Sequence, residues 1–162
     1  MQAKLICGII YPNKELYDKA IKLLTEIYGE IDKESQEYSF TEFTKYYEPE
    51  MGKELKRKFL VFKKQIEMEQ LPDIKLRTIE LEKNMSKDGK RTVNLDPGYL
   101  TENQFVLASV KTSPNKIYLA KGVSAQLILQ ISNNKCLENI RTFPDLKQEV
   151  IKKFVLENAI KQ

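Results

Sequence analysis

Arg91-Thr-Val-Asn-Leu-Asp-Pro-Gly-Tyr-Leu-Thr101 is the densest stretch of the chain. Val93 and Leu95 alternate with Thr92, Asn94 and Asp96, the two-residue period of a half-buried strand. Asp96-Pro97-Gly98 reads as the stop. Proline and then glycine at the two central positions is the chemistry of a type II turn. Thr101-Glu-Asn-Gln104 has the spacing of a capping box, which predicts a helix start, while the composition of Phe105–Val110 also suits a strand. Strand, turn and helix within about a dozen residues would set the local fold. Asn94 and Asp96 share one face of that strand, roughly 6–7 Å apart along it. A phosphate-type loop is disfavoured there. Asp96 puts a negative charge just ahead of the expected helix, and Pro97 has no N–H to offer an anion.

Working outward, Ala3–Tyr11 is a continuous apolar run with Gly8 inside it, as in a strand buried on both faces. Asn13 can cap a helix whose stripe is Leu16, Ala20, Leu23, Leu24 and Ile27, with Gly29 as its stop. Ile31–Phe43 predicts a strand around Tyr38 and Phe40, and Leu55–Ile66 a second one. Pro49 and Gly52 make 46–52 a loop. A helix follows over Leu71–Met85, and Asp88-Gly89 turns the chain back into the focal strand. Lys116–Ala120 and Val123–Ile131 form a hairpin through Lys121-Gly122, and a last helix starts at Pro144-Asp145. The order predicts an α+β domain over residues 1–162, with a ferredoxin-like split βαβ core and a C-terminal β-hairpin and helix extension.

Composition excludes several chemistries. Histidine is absent, which removes Ser-His-Asp and Cys-His nucleophile systems and imidazole metal sites. Cys7 and Cys136 are too few for a disulfide framework. The formal charge of +4 is too mild to argue for nucleic acid by itself. The basic run Lys53–Lys64, with Phe59 and Phe62 inside it, fits an edge strand with its lysines outward as well as a single-strand nucleic-acid surface. No run approaches a membrane helix and no export signal is visible, so the expected location is the cytoplasm.

Four segments occur together in one order: Tyr46-Tyr-Glu-Pro-Glu-Met-Gly52, Ile74-Lys-Leu-Arg-Thr78, Val93-Asn-Leu-Asp-Pro-Gly-Tyr-Leu100, and Lys116-Ile-Tyr-Leu119 with Gly122. In this the chain resembles a bacterial family of unknown function, some of whose members are labelled GTP-binding proteins. The resemblance runs from the first strand to the last helix. It implies one cytosolic domain and little about chemistry. The family pattern often carries Asn after the Arg-Thr pair, where this chain has Ile79. No G-x-x-x-x-G-K-[ST] loop or Asn-Lys-x-Asp segment is present, so any nucleotide would bind without a P-loop.

Three readings stay open. The first is a small anionic or phosphate-containing ligand, held through Mg²⁺ at a site built from loops 46–52 and 94–99. Its binding residues would be Asn94, Asp96, Lys75, Arg77, Tyr46 and Tyr47, with Arg91 and Lys111 as neighbours. Glu48, Glu50 and Asp96 would be the oxygen ligands of the hard cation. The second is a non-catalytic module for a protein or RNA partner, presenting exposed tyrosines. The third is a metal-dependent hydrolase working through the same carboxylates. Each pattern also has a plain reading: an Asx turn at Asp96, a solvated acidic loop at 48–50, and a solvated helix face at Lys75 and Arg77. The readings separate on whether segments 46–52, 74–78 and 93–99 converge.

Overall fold

The computed structural model describes residues 1–160. The apolar run near the start becomes β1 (Gln2–Tyr11), a central strand. Its odd-numbered residues Leu5, Cys7, Ile9 and Tyr11 face one core, and Ile6 faces a second. α1 (Lys14–Tyr28) follows; the Asn13 side chain accepts the Leu16 N–H at 3.0 Å and caps it. Next come β2 (Ile31–Glu34) and β3 (Tyr38–Ser39), two short strands where one was expected. The 46–52 loop contains a single-turn helix, α2 (Glu48–Met51). β4 (Lys56–Glu67) leads through a 3-10 turn into α3 (Leu71–Met85) and then β5 (Asn94–Leu100). The C-terminal part holds β6 (Gln104–Ser109), β7 (Ile117–Ala120), β8 (Val123–Ser132) and β9 (Lys135–Glu138). A 3-10 turn at Pro144–Lys147 then precedes α4 (Glu149–Asn158).

Among the described residues nine strands make one sheet, in the order β2-β4-β1-β5-β6-β8-β7, with β3 added to β4 and β9 to β8. Every pairing is antiparallel. The chain is therefore an α+β domain, a large antiparallel sheet with four α-helices. α1 and α3 pack on one face, through Ala20, Leu24, Ile74 and Leu81. α4 packs on the other, where Ile151, Phe154 and Val155 meet Phe59, Phe105 and Leu129. Asn133-Asn134, both at positive φ, close the β8–β9 hairpin.

The focal stretch departs from expectation in two places. There is no turn at Asp96-Pro97-Gly98; the strand runs straight through, with Pro97 opposite Cys7 of β1. The turn comes at Thr101–Gln104 instead. There the Thr101 hydroxyl accepts the N–H groups of Asn103 and Gln104 at 3.2 and 3.1 Å. The capping chemistry is thus used in a hairpin, and β6 replaces the expected helix.

Pro97 and Gly98 give this strand its shape. Leu95 turns its N–H and C=O away from β1, toward α3, where Glu82 and Lys75 take them at 2.9 and 3.0 Å. Backbone direction alternates along a strand, so the Pro97 nitrogen points to that same side, where β6 would need a donor. The β5–β6 ladder accordingly spans only Gly98–Leu100. At Gly98 the strands pass so closely that a Cβ would overlap the Val106 carbonyl oxygen. Below that crossing β5 and β6 diverge, and the sheet forks.

Candidate functional site

A cavity of about 860 Å³ occupies the fork. Asn94 and Asp96 line it from β5, Lys75 and Glu82 from α3, and Ser109 and Lys116 from the β6 side. Five aromatic rings complete the wall: Phe40, Phe43, Tyr46, Tyr47 and Phe143. A smaller hollow of about 280 Å³ borders Glu50 and Arg91 and carries no buried charge.

Arg57 anchors the cavity. It sits on β4 at the same two-residue period as Phe59 and Val61, so its side chain enters the sheet rather than solvent and is 4% exposed. One terminal nitrogen donates to Asp145 and the other to Asp96, each at 2.8 Å. The Tyr38 hydroxyl donates to the same Asp145 oxygen at 2.7 Å. The guanidinium lies 4.8 Å from the Phe59 ring centre and 5.5 Å from that of Phe40. Burial alone would lower the Arg57 pKa, but Asp145, Tyr38 and Asp96 outweigh it and hold it above its usual range.

A second chain of contacts joins this pair to α2 and α3. Asn94 donates to Asp96 and accepts from Arg91, both at 2.8 Å. Arg91 also reaches Glu50 at 2.5 Å and Glu82 at 3.2 Å. Burial pushes the Glu82 carboxyl up, opposed by the Leu95 N–H and by Lys75 and Arg91. Lys75, 6% exposed, shares Asp96 with Arg57 at 4.0 Å. Across the cavity mouth the Lys111 ammonium lies 4.6 Å from the Tyr46 ring centre and donates to its hydroxyl at 3.1 Å. The Lys116 ammonium donates to Ser109 Oγ at 2.8 Å and to the Lys111 carbonyl at 3.0 Å. Burial lowers the Lys116 pKa, and the like charges of Lys111 and Lys75 lower it further; Asp96 opposes them.

Of the residues expected from sequence, Asn94, Asp96, Lys75, Tyr46 and Tyr47 line this one cavity. Arg77 does not. On a helix, residues two apart diverge, and Arg77 makes a surface pair with Glu80 at 2.6 Å. The expected carboxylate trio is also not assembled. Glu48 and Glu50 do not line the cavity, Glu50 is paired with Arg91, and Asp96 is paired with Arg57. Among the described residues no group of three or more His, Cys, Asp or Glu side chains is placed to hold a metal ion.

Arg57, Glu82, Asp145, Gln126 and Lys116 were not among the expected site residues. The Arg57 signal was present in its shared period with Phe59 and Val61. Glu82 had one too, since Lys75, Ile79, Glu82 and Ser86 form one helical stripe that carries charge. Asp145 carried none, because only tertiary folding brings it to Arg57, 88 residues away.

Fold and site define an α+β domain whose antiparallel sheet is forked around a charged, aromatic-walled cavity. The chain belongs to the family described as Domain of unknown function (DUF4416), which matches residues 1–159. No curated protein matches the chain, and no solved structure does. No helix among the described residues is long and apolar enough to cross a membrane.

Proposed function

We propose that this domain binds a small anionic, phosphate- or carboxylate-bearing ligand in the fork cavity. One observation carries the reading. Six cationic side chains, Arg57, Lys75, Lys83, Arg91, Lys111 and Lys116, face three carboxylates, Glu82, Asp96 and Asp145. Arg57 is matched by Asp96 and Asp145, and Arg91 by Glu82 and Glu50. Of the four lysines Lys83 is exposed, and among the described residues Lys75, Lys111 and Lys116 are left with a share of one carboxylate, Asp96. Like charges gathered at a low-dielectric wall repel unless an anion joins them. The volume suits a ligand of metabolite to nucleotide size.

The strand order β2-β4-β1-β5, antiparallel throughout and with α1 and α3 on one face, supports reading the first half as a ferredoxin-like split βαβ core. Strands β6 to β9 and α4 then extend it. The free thiols of Cys7 and Cys136 support a cytoplasmic setting.

Calorimetric titration with pyrophosphate and a panel of sugar and nucleoside phosphates, with and without Mg²⁺, tests the reading. Binding should weaken with salt. Lys75→Met should reduce affinity about ten- to a hundredfold, the worth of one charge-assisted hydrogen bond, while unfolding stays cooperative. Absence of heat from every anion would refute it. That outcome would favour the interaction module, for which Ile117 and Tyr118 on the sheet-edge strand β7 are 74% and 66% exposed.

A further inference from the structure

We propose that Lys116 is a nucleophilic amine that condenses with the carbonyl group of an anionic aldehyde or ketone held in the fork cavity. The proposal rests on the anion-binding reading and adds a covalent step to it. Four lysines line this cavity; Lys83 is exposed, and the surroundings of the other three amines differ. Lys75 donates to the Leu95 carbonyl and lies 4.0 Å from Asp96, a partner that keeps it charged. Lys111 lies over the Tyr46 ring, and a ring face also favours the cation.

Among the described residues Lys116 has neither a carboxylate at contact distance nor a ring face. It has two acceptors, Ser109 Oγ and the Lys111 carbonyl. An ammonium has three hydrogens and a neutral amine has two. The neutral amine can therefore keep both hydrogen bonds, which leaves its lone pair as the one uncommitted direction. The groups facing Lys116 are Ser109 on β6, Lys111 on the following loop, Lys75 on α3 and Asp96 on β5. Burial and the two like charges favour the neutral form; Asp96 opposes it, as do the two oxygen acceptors, which bind an ammonium more strongly than an amine. Lys116 is also half-buried at the cavity wall, so a ligand in the cavity reaches it.

In the step itself, the Lys116 Nζ lone pair attacks the carbonyl carbon. A C–N bond forms, the C=O π electrons pass to oxygen, and one Nζ proton moves to that oxygen to give the carbinolamine. Its C–O bond then breaks and the hydroxyl leaves with the second Nζ proton as one water, giving a neutral imine; nothing is oxidised or reduced. Lys75 and Lys111 stay charged and hold the anionic end of the ligand.

Pyridoxal 5′-phosphate is the probe, trapped with borohydride and mapped by peptide mass spectrometry. Lys116 should carry at least about ten times the label of the exposed Lys19 or Lys22, since a held ligand gains effective molarity. Lys116→Arg should remove that label. Lys111→Gln takes away one like charge and should move the pH of half-maximal trapping upward. Pyridoxine 5′-phosphate, which has an alcohol in place of the aldehyde, should compete. If it binds the cavity while label spreads evenly over surface lysines, the covalent step is wrong and the anion site stands. If neither compound binds while pyrophosphate or another anion does, the covalent step alone falls; if no anion binds, both readings fall.

Discussion

Gly98→Ala should break the β5–β6 junction, and the size of the effect follows from what surrounds the glycine. A Cβ there would overlap the Val106 carbonyl oxygen, and it would lie 2.8 Å from Leu107 Cδ2 and 3.0 Å from Leu107 Cα. Two of those three atoms are backbone and cannot rotate away. β6 cannot easily retreat, because β8 pairs with it from Gln104 to Ser109 on the other side. Relief must come from the short Gly98–Leu100 ladder. Overpacking costs about 1–3 kcal/mol, and lost ladder bonds add about 1 kcal/mol each. The expected loss is about 3–5 kcal/mol. Gly8→Ala is the control: its Cβ would meet Phe59 Cε1 at 2.7 Å and Arg57 Nη2 at 3.2 Å. Both are side-chain atoms rather than backbone, but Phe59 is buried and Arg57 Nη2 is held by Asp96, so about 1–3 kcal/mol is expected. Urea unfolding of both variants, followed by circular dichroism, gives the comparison. If Gly98→Ala loses under about 1 kcal/mol, or less than Gly8→Ala, the crossing at Gly98 is not held by backbone contact.

Arg57→Met would leave Asp145 (side chain 4% exposed) without its cation and Asp96 with Lys75 alone, at 4.0 Å. A loss of about 3–5 kcal/mol is expected in chemical denaturation. A loss below about 1 kcal/mol would mean that the buried pair is not compensated as the contacts indicate. Glu82 gives a pH prediction. Its folded-state pKa is raised by burial, so its stabilising share is full below the ordinary carboxyl value of 4.5 and is lost as pH rises through the folded pKa. Glu82→Gln does not titrate. The stability difference, wild type minus Glu82→Gln, should fall as pH rises from below 4.5 through the raised pKa. A difference that stays flat, or grows, over that window would contradict the burial of this carboxyl.

Much of the scaffold was legible because its causes are local. The unbroken apolar run marked β1, the stripe from Leu16 to Leu24 with Asn13 and Gly29 at its ends marked α1, and Lys121-Gly122 marked a turn. Asp96-Pro97-Gly98 failed because local chemistry there is ambiguous. Proline suits a turn, but it also suits a strand position whose nitrogen faces no acceptor. Glycine suits a turn, but also a close crossing. The choice depends on Val106 and Leu107, which no local window reveals. The site shows the same division. The 46–52, 74–78 and 93–99 segments do supply Tyr46, Tyr47, Lys75, Asn94 and Asp96 to one cavity. The acidic pair Glu48 and Glu50 looked functional only while the basic partner of Glu50, Arg91, was unplaced.

Opening a sheet exposes backbone groups, and buried backbone groups must find partners. At the fork Leu95 loses a strand neighbour, and α3 supplies Lys75 and Glu82 in its place. These two side chains are drawn into the helix face by the hydrogen-bonding needs of β5, and that same position brings their charges to the cavity. Lys75 and Glu82 therefore serve structure and site together, and a substitution at either changes both. Lys111 and Lys116 differ: they lie on the loop after β6, and neither completes the backbone of β5. A purely architectural fork would require α3 and Pro97 but no cationic loop on its far side. Lys116 ties its own loop to Ser109 and Lys111 reaches Tyr46, but neither supports β5, which makes them a cleaner place than Lys75 or Glu82 to separate a ligand site from a packing defect.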